Sequence, residues 1–190
     1  MSRQISGVRL NATDFYPTPM WCVENLEIDW TIFKTAHEPC RGDGRISNWM
    51  ADKGFKTSYT EITEGTDFFQ WQGPVDLILT NPPFSLAQEF ITHAVNNASC
   101  VIMLLRLNFL ASIKRYQWWN TTPPTALHIL SKRPSFTGSG TDATDYAWFV
   151  WDSTGKLEKG VRFVPPPTSE QTKRDNLACK QALLNSAGMV

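Results

Sequence analysis

The sequence predicts an α/β chain with a mostly parallel sheet flanked by helices. Two observations carry this. Short apolar or alternating runs are followed by helix-patterned segments, the rhythm of successive βαβ units. The turn-forming residues Gly42, Gly44, Gly54, Pro82 and Pro83 fall at the ends of those runs and not inside them. A length of 190 residues suits one well-filled domain with at most a small appendage. Residues 1–165 read as that domain. Residues 166–190, which open in the proline-rich "VPPPTSEQ", read as a polar C-terminal tail that forms at most a loose helix.

Taken in order, "TPMWCVENLE" (18–27) is patterned as a helix with Thr18 as N-cap and Pro19 at its first position. "TIFKTAHEP" (31–39) is a short, polar strand that runs into Gly42 and Gly44. "RISNWMADKG" (45–54) is a helix that Gly54 stops. "FKTSYTEI" (55–62) alternates as a strand does, and "VDLILT" (75–80) is a buried strand. "SLAQEFITHAV" (85–95) is a helix with Ser85 as its cap, and "CVIMLLRL" (100–107) is the next strand. "NFLASIKRYQWW" (108–119) reads as a helix, "TALHIL" (125–130) and "YAWFVW" (146–151) as strands, and "DSTGK" (152–156) as a turn.

Composition excludes several classes. With 42% apolar and 19% charged residues the chain is ordinary for a soluble globular protein. Its longest apolar run, "CVIMLL", fits one strand and no membrane span, and its first residues lack the apolar core of a secretory signal. Cys22, Cys40, Cys100 and Cys179 are scattered without a CxxC pair, so neither a zinc site nor a disulfide framework is expected and a reducing cytoplasm is the simplest location. The net charge is zero, but its distribution is uneven. From Phe90 to Thr141 there is no Asp or Glu, while Arg106, Lys114, Arg115, Lys132 and Arg133 all lie there. Such an asymmetry suits a surface that meets a phosphate backbone; a solvated basic face without a partner is the other reading.

In parallel sheets, ligands bind beyond the carboxyl ends of the strands. The residues after each strand therefore carry the functional reading. "HEPCRGDGRI" joins Glu38 to a tight glycine turn that brings bare backbone and a helix N-terminus to a ligand. A carboxylate there repels a pyrophosphate and attracts an ammonium group. Glu61, about 20 residues past the glycines, stands where an acid can hydrogen-bond a ribose diol, with a plain surface glutamate as the alternative. Asp67 can accept from an exocyclic amine and Phe68 can lie on a purine; core packing is the competing role for Phe68 and Phe69.

Asn81-Pro82-Pro83-Phe84 is the sharpest signal. With proline near 5% of residues, [Asn/Asp/Ser]-Pro-Pro-[aromatic] arises by chance in roughly one window of 30,000. Two prolines make a stiff, donor-poor loop. The Asn81 side-chain oxygen and the Pro82 carbonyl can accept both hydrogens of a planar amine and expose its lone pair, while Phe84 offers a face for a base to stack on.

"NPPF", together with "EPCRGDG" and "DFYPTP", resembles the S-adenosylmethionine-dependent amino-methyltransferases, with the nearest likeness to small phage-type DNA N6-adenine methyltransferases. "LLRLNFLASIKRYQWW" and "SKRPSFTGSGTDATDYAWFVW" look like later segments of that group, so the likeness spans about residues 14–152. It implies a Rossmann-like class I methyltransferase fold with an antiparallel strand late in the chain. It also implies S-adenosylmethionine as cofactor, DNA as partner, base flipping, direct attack of the adenine N6 amine, and a host-cell cytoplasmic location if phage-encoded. Tyr16, Pro17, Thr18 and Pro19 match the segment that holds the methionine carboxylate. Glu38, Pro39, Cys40, Gly42 and Gly44 match the loop around the amino-acid part, Glu61 the ribose carboxylate, Asp67 and Phe68 the adenine contacts, and Asn81, Pro82, Pro83 and Phe84 the catalytic loop, Asn81 also bordering the cofactor. The motif order resembles the gamma arrangement. No separate target-recognition domain is expected in this length, so Arg106, Lys114, Arg115, Trp118, Trp119, Lys132 and Arg133 are the expected nucleic-acid contacts. Neither a metal nor a membrane is expected, and a homodimer is left open. N4-cytosine transfer, methylation of a protein glutamine amide and a non-catalytic subunit that keeps the fold are the alternatives.

Overall fold

The computed structural model describes residues 15–188. Its centre is a seven-stranded sheet formed by β1 (Thr35–Glu38), β2 (Lys56–Tyr59), β3 (Val75–Thr80), β4 (Ala98–Arg106), β5 (Ala126–Leu130), β6 (Tyr146–Asp152) and β7 (Gly160–Val164). The spatial order is β2-β1-β3-β4-β6-β5-β7. Neighbours are parallel except at β6, which runs antiparallel to both β4 and β5. The mostly parallel sheet and its late antiparallel strand are as the sequence predicts.

The helices are α1 (Trp21–Glu24), α2 (Arg45–Asp52), α3 (Ala87–Ala94), α4 (Tyr116–Thr121) and α5 (Ser169–Ala187). The near-continuous apolar runs of β3 and β4 are explained by helices on both faces. Leu77, Leu79, Cys100, Ile102 and Leu104 pack with Trp21, Ile46 and Met50 on one side. Ile78, Val101, Met103 and Leu105 pack with Ala87, Phe90, Ile91 and Ala94 of α3 on the other. Each fully buried Leu or Ile contributes about 1.5–3 kcal/mol.

The polar character of β1 also has a cause. His37 is fully buried, with Nδ1 2.9 Å from the Ser58 hydroxyl and Nε2 3.2 Å from that of Thr60, and it stacks on Trp71 at 3.8 Å. Burial lowers its pKa to about 4, so the ring is neutral.

Several element boundaries differ from expectation. The first helix begins at Trp21 with Met20 as N-cap, because the Thr18 hydroxyl accepts a bond from Asn81. Ser85 does not cap α3. The chain after Pro83 first winds a 3-10 turn, Phe84–Leu86, closed by Leu86 N–H to Pro83 C=O at 3.0 Å, and the N-cap falls on Leu86. The single helix expected over 108–119 is interrupted by the extended backbone of Ser112 and divides into short 3-10 turns and α4. Strand β7 carries no alternation to betray it, since only Val164 is buried.

The segment read as a loose tail contains a 19-residue helix, α5, opened by a capping box between Thr168 and Gln171. It is firmly docked. The buried Asp175 carboxylate accepts the Trp21 N–H at 2.9 Å, and the Cys179 thiol donates to the Pro17 carbonyl at 3.3 Å. Gly138 lies so close that a Cβ there would stand 2.1 Å from the Asn176 carbonyl oxygen.

Candidate active site

Strand β1 lies between β2 and β3, so the chain leaves β1 in one direction and β3 in the other. The crevice at this reversal is where open α/β sheets place ligands. The loop after β1, residues 39–44, and the loop after β3, residues 81–84, face each other across it. Their closeness is visible in Cys40, whose thiol lies 2.9 Å from the Thr80 hydroxyl and 3.4 Å from the Asn81 carbonyl oxygen. Burial pushes that thiol well above its usual pKa, so it stays protonated and serves as packing.

Asn81 is held in one orientation. Its side-chain amide donates to the Tyr16 carbonyl at 3.1 Å and to the Thr18 hydroxyl at 3.0 Å. With both donors engaged, the Asn81 Oδ1 is fixed, and it is buried without a partner among the described residues. A buried amide oxygen left unpaired costs about 1–3 kcal/mol, and this oxygen is free to accept a donor. Thr18 is itself buried, and its carbonyl receives Arg45 Nη1 at 3.0 Å. Pro17 is buried beside the Cys179 thiol, and Pro19 closes the turn into α1, accepting from Cys22 N–H at 3.0 Å.

Glu38 is 2% exposed and accepts the Ser47 N–H at 2.7 Å, near the start of α2. Burial raises its pKa to about 8 against the opposing help of Ser47. The carboxyl is therefore neutral at pH 7 unless a cation joins it, which fits the ammonium role. The left-handed Gly44 (φ 80) turns the chain into α2. Gly42 is also left-handed, and its N–H is held by Glu61 Oε2 at 2.8 Å. Pro39 is buried and its carbonyl accepts from Thr60.

The second acid is more occupied than the sequence implied. Glu61 Oε1 accepts from both the backbone and the hydroxyl of Thr63, so this carboxylate ties the glycine loop to the turn after β2. Asp67 caps a 3-10 turn through Phe69 N–H at 2.9 Å. Phe68 is 3% exposed, with ring centroids 5.2 Å from Phe90 and 4.8 Å from His93. It is a core residue packed against α3 and not an open platform.

Phe84 is half-buried, 5.8 Å from the Tyr16 ring and 5.6 Å from that of Tyr146. The Arg106 guanidinium lies over its ring at 4.7 Å and donates to the Tyr146 hydroxyl at 3.2 Å. Arg106 is thus the one expected nucleic-acid contact that reaches the Asn81 loop directly. The others separate into two kinds. Lys114 and Lys132 are exposed. Arg133 is paired with Asp145 at 2.7 Å, and Arg115 is folded onto Phe109. Trp118 and Trp119 are half-buried against Phe109, with Trp119 also stacked on Phe149, and serve mainly as packing.

Sequence reading missed Arg45 and Cys179, which support the 17–18 segment. Nothing in their local sequence marks them, since their roles come from the docking of α5. Among the described residues, no group of three or more His, Cys, Asp or Glu could hold a metal ion, and no helix is long and apolar enough to cross a membrane.

Comparison with solved structures shows the fold. A protein from Listeria monocytogenes described as a class I S-adenosylmethionine-dependent methyltransferase is similar with a TM-score of 0.53 and 8% identity, over 94% of this chain and 74% of that one. A modification subunit of a type I restriction enzyme from Vibrio vulnificus is similar with a TM-score of 0.51 and 11% identity, over 84% and 51%. A chain from a type I R-M system gives a TM-score of 0.50 and 12% identity, over 87% and 50%. This chain therefore spans about half the length of those two chains. No protein-family model matches the chain, and no curated protein matches it in sequence. The chain has the Rossmann-like class I methyltransferase fold.

Proposed function

We propose that the chain transfers a methyl group from S-adenosylmethionine to the N6 amine of adenine in DNA. The observation that carries the reading is Asn81, whose Oδ1 is buried, has no partner among the described residues and is fixed by two bonds from its amide nitrogen. Such an oxygen suits an amine hydrogen. The Pro82 carbonyl, which follows it in a loop without a competing Pro82 N–H, is the second acceptor. Together they draw the amine out of conjugation and turn its lone pair towards the methyl donor. Phe84 supports the base, with Arg106 beside it. Holding the reacting atoms in line supplies most of the rate gain. The proton on the product nitrogen leaves to water.

S-adenosylmethionine, when bound, supplies an electrophilic methyl on a sulfonium. The residues that would hold it fit in part. Tyr16 to Pro19 border the methionine carboxylate, and Glu38 takes the ammonium, as a buried carboxyl with a raised pKa should. Gly42 and Gly44 give the close backbone. Glu61 meets the ribose with the lone pairs its loop bonds leave free, and Asp67 meets the adenine amine. The neighbours named as S-adenosylmethionine-dependent methyltransferase and as restriction-enzyme modification subunit support this reading.

The experiment is nucleoside analysis. DNA incubated with the protein and S-adenosylmethionine, then digested, should contain N6-methyldeoxyadenosine by mass spectrometry. N4-methyldeoxycytidine would move the assignment to cytosine, and no methylated nucleoside would overturn it.

A further inference from the structure

The chain between β4 and α4 leaves the sheet at the same edge as the Asn81 loop, because Arg106 at the end of β4 lies over the Phe84 ring. It then forms a short arch. Arg115 Nε donates to the Phe109 carbonyl at 3.0 Å, and the Arg115 guanidinium sits 4.1 Å from the Phe109 ring centroid. Phe109 is 9% exposed and anchored among Trp118, Trp119 and Phe149. Phe109 and Arg115 are thus the two feet, and residues 110–114 span between them.

What the arch presents is unusual. Ile113 is 93% exposed, the most exposed large apolar side chain among the described residues, and Tyr116 just past the foot is 67% exposed. Of the other exposed large apolar side chains, Val161, Phe163, Leu177 and Leu184 lie on the far edge strand β7 and on α5, Tyr59 and the half-exposed Ile62 at and just after the end of β2, and the less exposed Leu110 on the arch itself. Beside Ile113 stands exposed Lys114, inside the stretch from Phe90 to Thr141 that has no acidic residue. An apolar tip beside an exposed lysine, on a segment with no acid of its own and with the neighbouring Asp145 paired to Arg133, suits a nucleic-acid duplex better than a protein groove.

We propose that this arch is the element that enters the duplex. Ile113, with Tyr116 behind it, fills the stacking place left when the target base turns out towards Asn81, and Lys114 holds an adjacent phosphate. Arg115, Trp118 and Trp119 are the footing and make no base contact. The proposal rests on the reading of a flipped base as substrate. Unstacking a base costs a few kcal/mol, and an apolar wedge offsets part of it. A single strand has no such gap, so the wedge gives it no advantage.

The test compares one plasmid DNA, native and heat-denatured to single strands, as acceptor of tritiated methyl groups. The Ile113→Ala/Tyr116→Ala double variant should lose roughly tenfold or more on native duplex and stay near the parental rate on single strands. Leu177→Ala/Leu184→Ala, on α5, should match the parent on both. Equal loss on both DNAs, no loss on either, or a parent active on single strands alone would each overturn the wedge. A parent that methylates neither DNA would instead sink the substrate reading. Methyl incorporation into added protein, lost in the double variant, would make the arch a protein-docking patch.

Discussion

Around the ends of β1, β2 and β3, polar side chains are anchored by buried and part-buried bonds. Glu38 is tied to Ser47, Glu61 to Gly42 and Thr63, and Asn81 to Tyr16 and Thr18. Around the ends of β4 and β5, Lys114 and Lys132 face solvent, and the two arginines 115 and 133 already have partners on their own surface. The first region has a geometry fixed before any ligand arrives, which suits transition-state stabilisation. The second offers exposed cations that any phosphate backbone can use, which suits affinity without much geometry. Mutations should therefore act on turnover in the first and on salt-dependent binding in the second.

The largest expected effect breaks the first region at its centre. Asn81→Ala should leave S-adenosylmethionine affinity near parental and cut methyl transfer by about 10²–10³-fold, the range for losing one preorganised transition-state partner. Thr18→Val keeps the shape but removes one of the two bonds that orient the Asn81 amide. Turnover should fall roughly tenfold, in line with one lost hydrogen bond, with KM little changed and with Thr18→Ser restoring it. A Thr18→Val enzyme at full turnover would mean that the amide is oriented by other means.

The second prediction is a pH dependence. In the free protein Glu38 has its pKa raised to about 8 by burial, so below that pH it carries a proton. Binding an ammonium group favours the ionised form and expels that proton. Affinity for S-adenosylmethionine should therefore rise with pH, by about tenfold per unit between about pH 6 and about pH 7.5. Calorimetric titration in buffers of different ionisation enthalpy should show about one proton released, and Glu38→Gln should flatten the slope. A flat parental profile would remove Glu38 from the ammonium site.

The smallest effect sharpens the second region. Replacing Lys114 and Lys132 by Ala should reduce the salt dependence of DNA binding by about one unit of slope for each phosphate that is no longer neutralised. Replacing Arg115 and Arg133 should change it less, because those guanidinia are engaged with Phe109 and Asp145. Equal changes from the two pairs would mean that both arginines release their partners on binding.

Much of the fold was legible because β3 and β4 announce themselves as buried runs and Gly42, Gly44 and Pro82 punctuate the chain where ligand loops begin. The Asn81 motif was legible because few pressures other than chemistry place an amide before two prolines. What failed had long-range causes. Thr18 reads as an N-cap, and no local pattern shows that a side chain 63 positions away claims its hydroxyl. Phe68 reads equally as platform or core, and only Phe90 and His93 against it decide for core. The basic stretch showed charge but not which guanidinia were already satisfied. Helix α5 was underestimated because it buries only Asp175, Cys179 and Ala182, too few to make an apolar stripe.

That helix also sets the order in which the molecule is completed. Its contacts Asp175 to Trp21 and Cys179 to Pro17 join positions 154 and 162 residues apart. The segment Tyr16 to Trp21 thus waits for a helix made much later before it is clamped from behind. Domains tend to fold as units from the N-terminal side while the chain is being made, but here a nascent chain with Asn81 already exposed still lacks the brace that fixes its orienting partners. The bracing of this segment therefore depends on a helix far downstream, and a polypeptide lacking α5 would keep the Asn-Pro-Pro-Phe motif without the contacts of Asp175 and Cys179 behind its orienting partners.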